Sequence, residues 1–270
     1  MEKSNNTAVV VLSCDKYADI WAPFFAFFNK FWPECPYKIY LGSNTLGFSD
    51  NKIQTIKSGE PINWTADTRA ILEQIKEKYV IVLLEDYFLY TNVDQGTLDR
   101  CVEMMEKEHA VFFRIGCFPS DHFSDYAYDK IKGNEWCGRT RIDAKYAINL
   151  QAGIWNREEF ISLLKDDENP WQFELAGTKR WAASGKVCLG LVEDKKLNYV
   201  HGPITYLCTA LSKGVWMRDA FELAKKENIK LNKGNRTIET KWQYRKRRMY
   251  HALPFWSRKY IDFFSNRLFI

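Results

Sequence analysis

Apolar residues along the chain fall in short runs separated by stretches of helical spacing, and the two kinds alternate from the start. Residues 8–12 (AVVVL) form an unbroken apolar run, as a strand buried on both faces does, and it stops at Ser13, Cys14 and Asp15. An aromatic-rich helix is predicted over 18–31, halted before Pro33. A second strand over 37–41 ends in Gly42-Ser43-Asn44, and a helix over 65–78 puts Ala66, Ala70, Ile71 and Ile75 near one face. Residues 80–84 (VIVLL) are the next buried strand. This β-α-β-α-β order predicts a parallel sheet covered on both sides. Further on, the pattern predicts a helix over 95–108 and a strand over 110–115. An irregular, Gly-, Asp- and aromatic-rich stretch over 117–141 would overlie the site. A strand over 146–155 and a short helix over 157–164 follow.

Ligands of such sheets bind beyond the carboxyl ends of the strands. The polar clusters Ser13-Cys14-Asp15, Ser43-Asn44 and Glu85-Asp86 fall at those ends. Glu85 and Asp86 interrupt an otherwise oily run, YVIVLLEDYFLY, and unpaired carboxylates are costly to bury. Either a basic residue of the chain pairs with them, or they hold Mg2+ or Mn2+ beside a diphosphate. Such an ion would neutralise charge on a departing phosphate. The place on the rim favours the second reading, with Asp86 as the direct contact and Glu85 beside it.

Composition trims the alternatives. An apolar share of 46% in 270 residues supports a sizeable core and excludes a disordered chain. The apolar runs are too short to span a membrane, and an acid at position 2 makes residues 1–15 a poor signal peptide. Seven cysteines are scattered without a C-x-x-C pair, which reads as reduced cytosolic thiols and not as a disulfide framework or zinc site. The expected location is therefore cytoplasmic. Residues 241–270 carry eight Lys or Arg and one acid, +7 of a net +5, which leaves the first 240 residues at −2. No linker divides the rest, so the expected organisation is a catalytic-type domain over 1–240 and a basic amphipathic tail over 241–270. With the basic character confined to the tail, nucleic acid is not an expected partner of the domain.

The strand ending in LLEDYFL resembles the DxD-type element of GT-A glycosyltransferases, in a reduced E-D form in which Tyr87 follows Asp86. VVVLSCDKYADIW, NWTADTRAILEQIKEKY and NLQAGIWN…NPWQFE are similar to segments of bacterial enzymes that build surface polysaccharide (capsule, O-antigen of lipopolysaccharide, exopolysaccharide). The resemblance runs in scattered motifs over residues 8–215. It implies a GT-A-like (Rossmann-like) α/β fold, with a mixed, mostly parallel sheet flanked by helices. It also implies a hexosyltransferase that uses a nucleotide-diphosphate sugar, UDP-linked, and a glycan or lipid-linked acceptor.

On that resemblance Asp15 looks like part of the nucleotide-binding edge; its other reading is the N-cap of the first helix. Ser43 and Asn44 contact the donor or simply form a turn. Arg69 pairs with Asp86 or with a donor phosphate. Glu174, in NPWQFELAGTKR, is framed by Trp171 and Phe173. A carboxylate held against aromatics has a raised pKa and suits the general base of an inverting transfer; otherwise it pairs with Lys179 or Arg180. In NLQAGIWN, Gln151 would hydrogen-bond an acceptor sugar and Gly153 would let a ligand approach closely. Trp155 would stack on the sugar or pack in the core. His201, in YVHGPITY, completes a metal site or is structural, and Lys213 reaches a diphosphate or is solvated. The tail interleaves its bases with Trp242, Tyr244, Tyr250, Phe255, Trp256, Tyr260, Phe263 and Phe264. That composition suits an anionic membrane surface, and also single-stranded nucleic acid or packing on the domain. The rival class is a non-catalytic nucleotide-sugar-binding scaffold of a polysaccharide assembly complex. A nucleotidyltransferase would need a Gly-rich, basic loop after the first strand, which is absent.

Overall fold

Strand β1 (Thr7–Leu12) is buried along its whole length. Strand β2 (Lys38–Ser43) flanks it on one side and the strand Tyr79–Leu84 on the other, both parallel to it. A central strand covered on both faces needs an unbroken apolar run, which is what 8–12 supplies. The computed structural model describes residues 6–115, 128–192, 202–207 and 209–252, in two units, Met1–Cys208 and Thr209–Ile270.

Between β1 and β2, helix α1 (Ala18–Phe31) buries Ile20, Trp21, Phe24, Phe25, Phe27 and Phe28. The edge strand β3 (Ile53–Lys57) runs parallel to β2 and buries Ile53 on one face and Ile56 on the other. Its polar-interrupted IQTIK carries a weak apolar signal, and the sequence pattern does not predict it. Helix α2 (Trp64–Glu73) starts at Asn63, whose side chain accepts from the Ala66 N–H at 2.8 Å. It stops short of the predicted residue 78. Ile75 N–H bonds the Leu72 carbonyl, and the Gln74 amide donates to the carbonyls of Ala70 and Lys57. The chain then enters β4 (Tyr79–Leu84).

Helix α3 (Gln95–Glu108) and strand β5 (Phe112–Arg114) follow. Two strands, β6 (Tyr128–Ile131) and β7 (Asn134–Thr140), form a hairpin within the stretch predicted to be irregular; residues 116–127 lie outside the described ones. The predicted strand over 146–155 is regular only at β8 (Gly153–Asn156), and Tyr146 turns the preceding segment with a φ of 53°. Helices α4 (Arg157–Leu163) and α5 (Pro170–Ser184) and strand β9 (Cys188–Leu191) complete the first unit. Asn169 caps α5 in a capping box with Gln172 and Pro170 opens it, so NPWQ is a built-in start signal. The sheet order is β3-β2-β1-β4-β8-β5-β9-β7-β6. Only β8 and β7 oppose the other seven strands. The fold is a mixed, mostly parallel α/β sheet flanked by helices.

Strand β8 corrects one sequence reading and decides between the two alternatives of another. Gly153 makes room for a core ring and not for a ligand: a Cβ there would lie 2.3 Å from the Phe112 ring. Trp155, two residues on and on the same face, packs against Phe112 and stacks on Phe160 with centroids 4.4 Å apart. With 0% of its surface exposed it is core, out of reach of an acceptor sugar. Gly153→Ala should destabilise the domain by about 1–3 kcal/mol through overpacking, read as a lowered denaturation midpoint.

In the second unit, strands β10 (Leu211–Ser212) and β11 (Val215–Trp216) form a hairpin, followed by helices α6 (Arg218–Lys226) and α7 (Lys241–Ala252). The sequence places a boundary at 240/241; in the structure residues from Thr209 onward group with α7. Arg247 of α7 pairs with Asp219 and, at 2.7 Å, with Glu239, while Tyr244 donates to Glu222. Among the described residues no helix is long and apolar enough to cross a membrane.

Candidate functional site

The register of the parallel strands brings the polar ends together. Leu12 of β1 lies opposite Gly42 of β2 and Leu84 of β4, so Ser13-Cys14-Asp15, Ser43-Asn44 and Glu85-Asp86 emerge side by side. Glu85 and Asp86 are the central residues of a turn closed by Tyr87 N–H on the Leu84 carbonyl at 3.1 Å. Glu85 is 8% exposed. The Cys14 thiol is pushed up by burial and by the negative charge of Glu85, which places that carboxylate close to the end of β1.

The Asp15 carboxylate is taken up by the neighbouring loop. It accepts from the N–H groups of Asn44, Thr45 and Leu46 and from the Thr45 hydroxyl. Asn44 returns the contact, its Oδ1 accepting from Asp15 N–H at 3.2 Å, and its amide donates to Ser58 and Asp67. The Ser43 hydroxyl donates to the Leu46 carbonyl. Asp15 therefore shapes the rim; it is not the cap of α1, whose N-terminus has no side-chain cap. Partial desolvation opposes the ionised form of Asp15, but the hydrogen bonds from Thr45, Leu46 and Asn44 prevail and hold its carboxyl below the usual range. A depressed folded-state pKa gives stability that is present above the unfolded value and lost as pH falls through the folded one. Asp15→Ala should cost about 1–3 kcal/mol near neutral pH. Urea titrations should show that deficit shrinking as the solution is acidified.

A second group of residues joins the acidic turn to Glu174 through one residue, Leu150. Tyr87 donates to the Leu150 carbonyl at 3.2 Å, and Glu174 accepts from Leu150 N–H at 2.8 Å. Helix α5 holds the segment in place, with Thr178 Oγ1 accepting from Ile148 N–H and donating to the Glu174 carbonyl. Burial raises the Glu174 pKa, with the Leu150 N–H and the Arg114 charge opposing it. Arg180 is engaged by Glu168 at 2.7 Å, not by Glu174. Of the predicted aromatic frame only Phe173 is buried; Trp171 is 69% exposed. Gln151 belongs to the same group, its Oε1 accepting from the Tyr206 hydroxyl. Tyr206 in turn stacks on Tyr87 with centroids 4.3 Å apart.

Two predicted residues of the first unit, Arg69 and Trp155, are not brought into this cluster. The Arg69 guanidinium donates to the Ile161 and Leu164 carbonyls at the end of α4 and lies 3.9 Å from Asp166. Lys213 is an exposed turn residue of the β10–β11 hairpin in the second unit. Trp155 is in the core. His201 lies outside the described residues. The sequence reading missed Tyr87, Tyr206, Asp67 and Arg114. Tyr87 was visible as the aromatic following two acids, whereas the others act across the fold and carry no local signal.

No protein-family model matches the chain, and no curated protein matches it. Similar solved structures include S. aureus TarS 1-349 in complex with UDP, at 10% identity and a TM-score of 0.48, over 70% of this chain and 58% of that one. A cytidylyltransferase from Leptospira borgpetersenii serovar Hardjo-bovis aligns over 87% of this chain and 99% of its own, at 12% identity and a TM-score of 0.45. The bifunctional IspDF from Campylobacter jejuni aligns over 70% and 50%, at 14% identity and a TM-score of 0.40. The chain thus spans about half the length of TarS 1-349 and of IspDF. Likenesses this distant assign no activity.

Proposed function

We propose that this chain is a glycosyltransferase that moves a hexose from a nucleotide-diphosphate sugar, UDP-linked, to a bacterial glycan or lipid-linked acceptor, with inversion at the anomeric carbon. The observation that carries the reading is the backbone of Leu150, held on its carbonyl by Tyr87 beside the acidic turn and on its N–H by Glu174. A rim suited to a diphosphate and a carboxylate of raised pKa are thereby tied to one rigid segment.

In this reading Glu174 takes the proton of the acceptor hydroxyl. The acceptor oxygen bonds to the anomeric carbon as the bond from that carbon to the diphosphate oxygen breaks, and the nucleoside diphosphate leaves as an anion. The loop ordered by Asp15 and Asn44 seats the nucleotide, and Gln151, fixed by Tyr206, faces the acceptor. Among the described residues no group of three or more His, Cys, Asp or Glu is placed to hold a metal ion. The donor set of the turn, Glu85 and Asp86, fits Mg2+ or Mn2+ bound by one or two carboxylates, with phosphate oxygens and water as the remaining ligands. When bound, such an ion would neutralise charge on the departing diphosphate.

The test is donor binding. Nucleotide sugars should raise the thermal midpoint of the wild-type protein more with Mn2+ than with EDTA, and Asp86→Asn should abolish the difference. A midpoint indifferent to every nucleotide sugar refutes the assignment. A donor shift that ignores both EDTA and Asp86→Asn removes the acidic turn from metal binding.

A further inference from the structure

Helix α7 sorts its side chains into two faces. At about 100° per residue, Trp242 and Met249 project within about 20° of one another. On the same scale Lys246 stands about 40° to one side, and Arg245, Lys241 and Arg248 follow on the other. These six residues are exposed, Trp242 by 68% and Met249 by 72%, and α7 holds no acid. Lys246 lies over the Trp242 ring, with its ammonium 5.1 Å from the centroid. Three acids of the second unit meet the opposite face, where Arg247 engages Asp219 and Glu239, and Tyr244 engages Glu222. Arg247 and Tyr244 thus tie the helix to its unit and Arg248 donates to the Tyr244 hydroxyl at 3.2 Å, while Lys241, Arg245 and Lys246 face outward with an indole and a thioether.

We propose that this outer face docks α7 on the surface of an anionic phospholipid bilayer, with Trp242 and Met249 entering the interface and Lys241, Arg245 and Lys246 meeting lipid phosphates. The arrangement matches what such a surface requires: a narrow apolar centre flanked by bases, with no acid to repel the headgroups. Single-stranded nucleic acid would also attract the bases, but its bases stack on several aromatic faces along a groove. The outer face of α7 offers one indole on a convex helix.

The full chain should co-sediment with vesicles of phosphatidylcholine and phosphatidylserine, not with phosphatidylcholine alone, and added salt should release it. The triple variant Lys241→Gln, Arg245→Gln, Lys246→Gln, with helicity confirmed by circular dichroism, should lose about tenfold or more in partitioning. Trp242→Ser should lose partitioning while keeping the salt dependence. Equal binding to neutral vesicles, no binding to either, or a triple variant that partitions like the wild type overturns the proposal. So does tighter binding to a single-stranded oligonucleotide than to the anionic vesicles. None of these outcomes depends on the transferase reading, because a chain without that activity would partition in the same way.

Discussion

Glu174→Gln should leave the protein folded and able to bind its nucleotide sugar while transfer falls by about 10²–10⁴-fold, the usual contribution of a positioned general base. Gln keeps an oxygen to accept from Leu150 N–H, so the segment that Glu174 holds at 2.8 Å should stay in place. What disappears is the basic oxygen. Initial rates at saturating donor, with donor affinity measured by calorimetry, separate the two effects, and transfer at the wild-type rate would remove Glu174 from the mechanism. The pH dependence supplies a second readout. Burial raises the folded-state pKa of Glu174, so the acid limb of the rate profile should lie above the ordinary carboxylate range. Stability has the matching sign: the Glu174 contribution is fully present below the unfolded pKa and is lost as pH rises through the folded one. The glutamine variant should therefore gain on the wild type as pH rises through that window.

Trp155→Ala should cost about 3–5 kcal/mol, because it removes the ring on which Phe112 and Phe160 pack and leaves a cavity in the core. Trp155→Phe should cost less. It keeps a ring in the stack and deletes the buried indole N–H, which has no hydrogen-bond acceptor among the described residues. Urea denaturation of the two variants makes the comparison. If alanine and phenylalanine were equally mild while transfer collapsed, Trp155 would contact the acceptor after all.

Strands β1, β2 and β4 were legible because apolar runs mark strands with buried faces, whereas the polar-interrupted β3 and the early stop of α2 were not. Unbroken apolar runs gave β1 and β4, and 95–108 matched α3 at both ends. The second half of the sheet was harder for a physical reason. Strands β8 and β9 are four residues each, and they pair with partners far away in the chain, β4, β5 and β7. Strand β9 is four residues, CLGL, whose Gly190 lies so close to Tyr128 that a Cβ would clash with its ring. The rim of the site followed from strand direction alone, since parallel strands put their polar ends on one side. Individual roles did not follow so well. Arg69 has the right charge near the right strand, yet its side chain is spent on the carbonyls that end α4. Trp155 has the right chemistry for a sugar, but the two-residue period of β8 turns it to the same face as Gly153 and into the core.

The most direct test of the central claim is release of free nucleoside diphosphate from UDP-hexoses, measured with and without a bacterial lipid-linked glycan fraction. The proposed mechanism predicts acceptor-dependent release by the wild type, loss of that release in Glu174→Gln with donor binding retained, and a product of inverted anomeric configuration. Tight donor binding with no release under any acceptor condition would contradict it and leave a nucleotide-sugar-binding scaffold in its place.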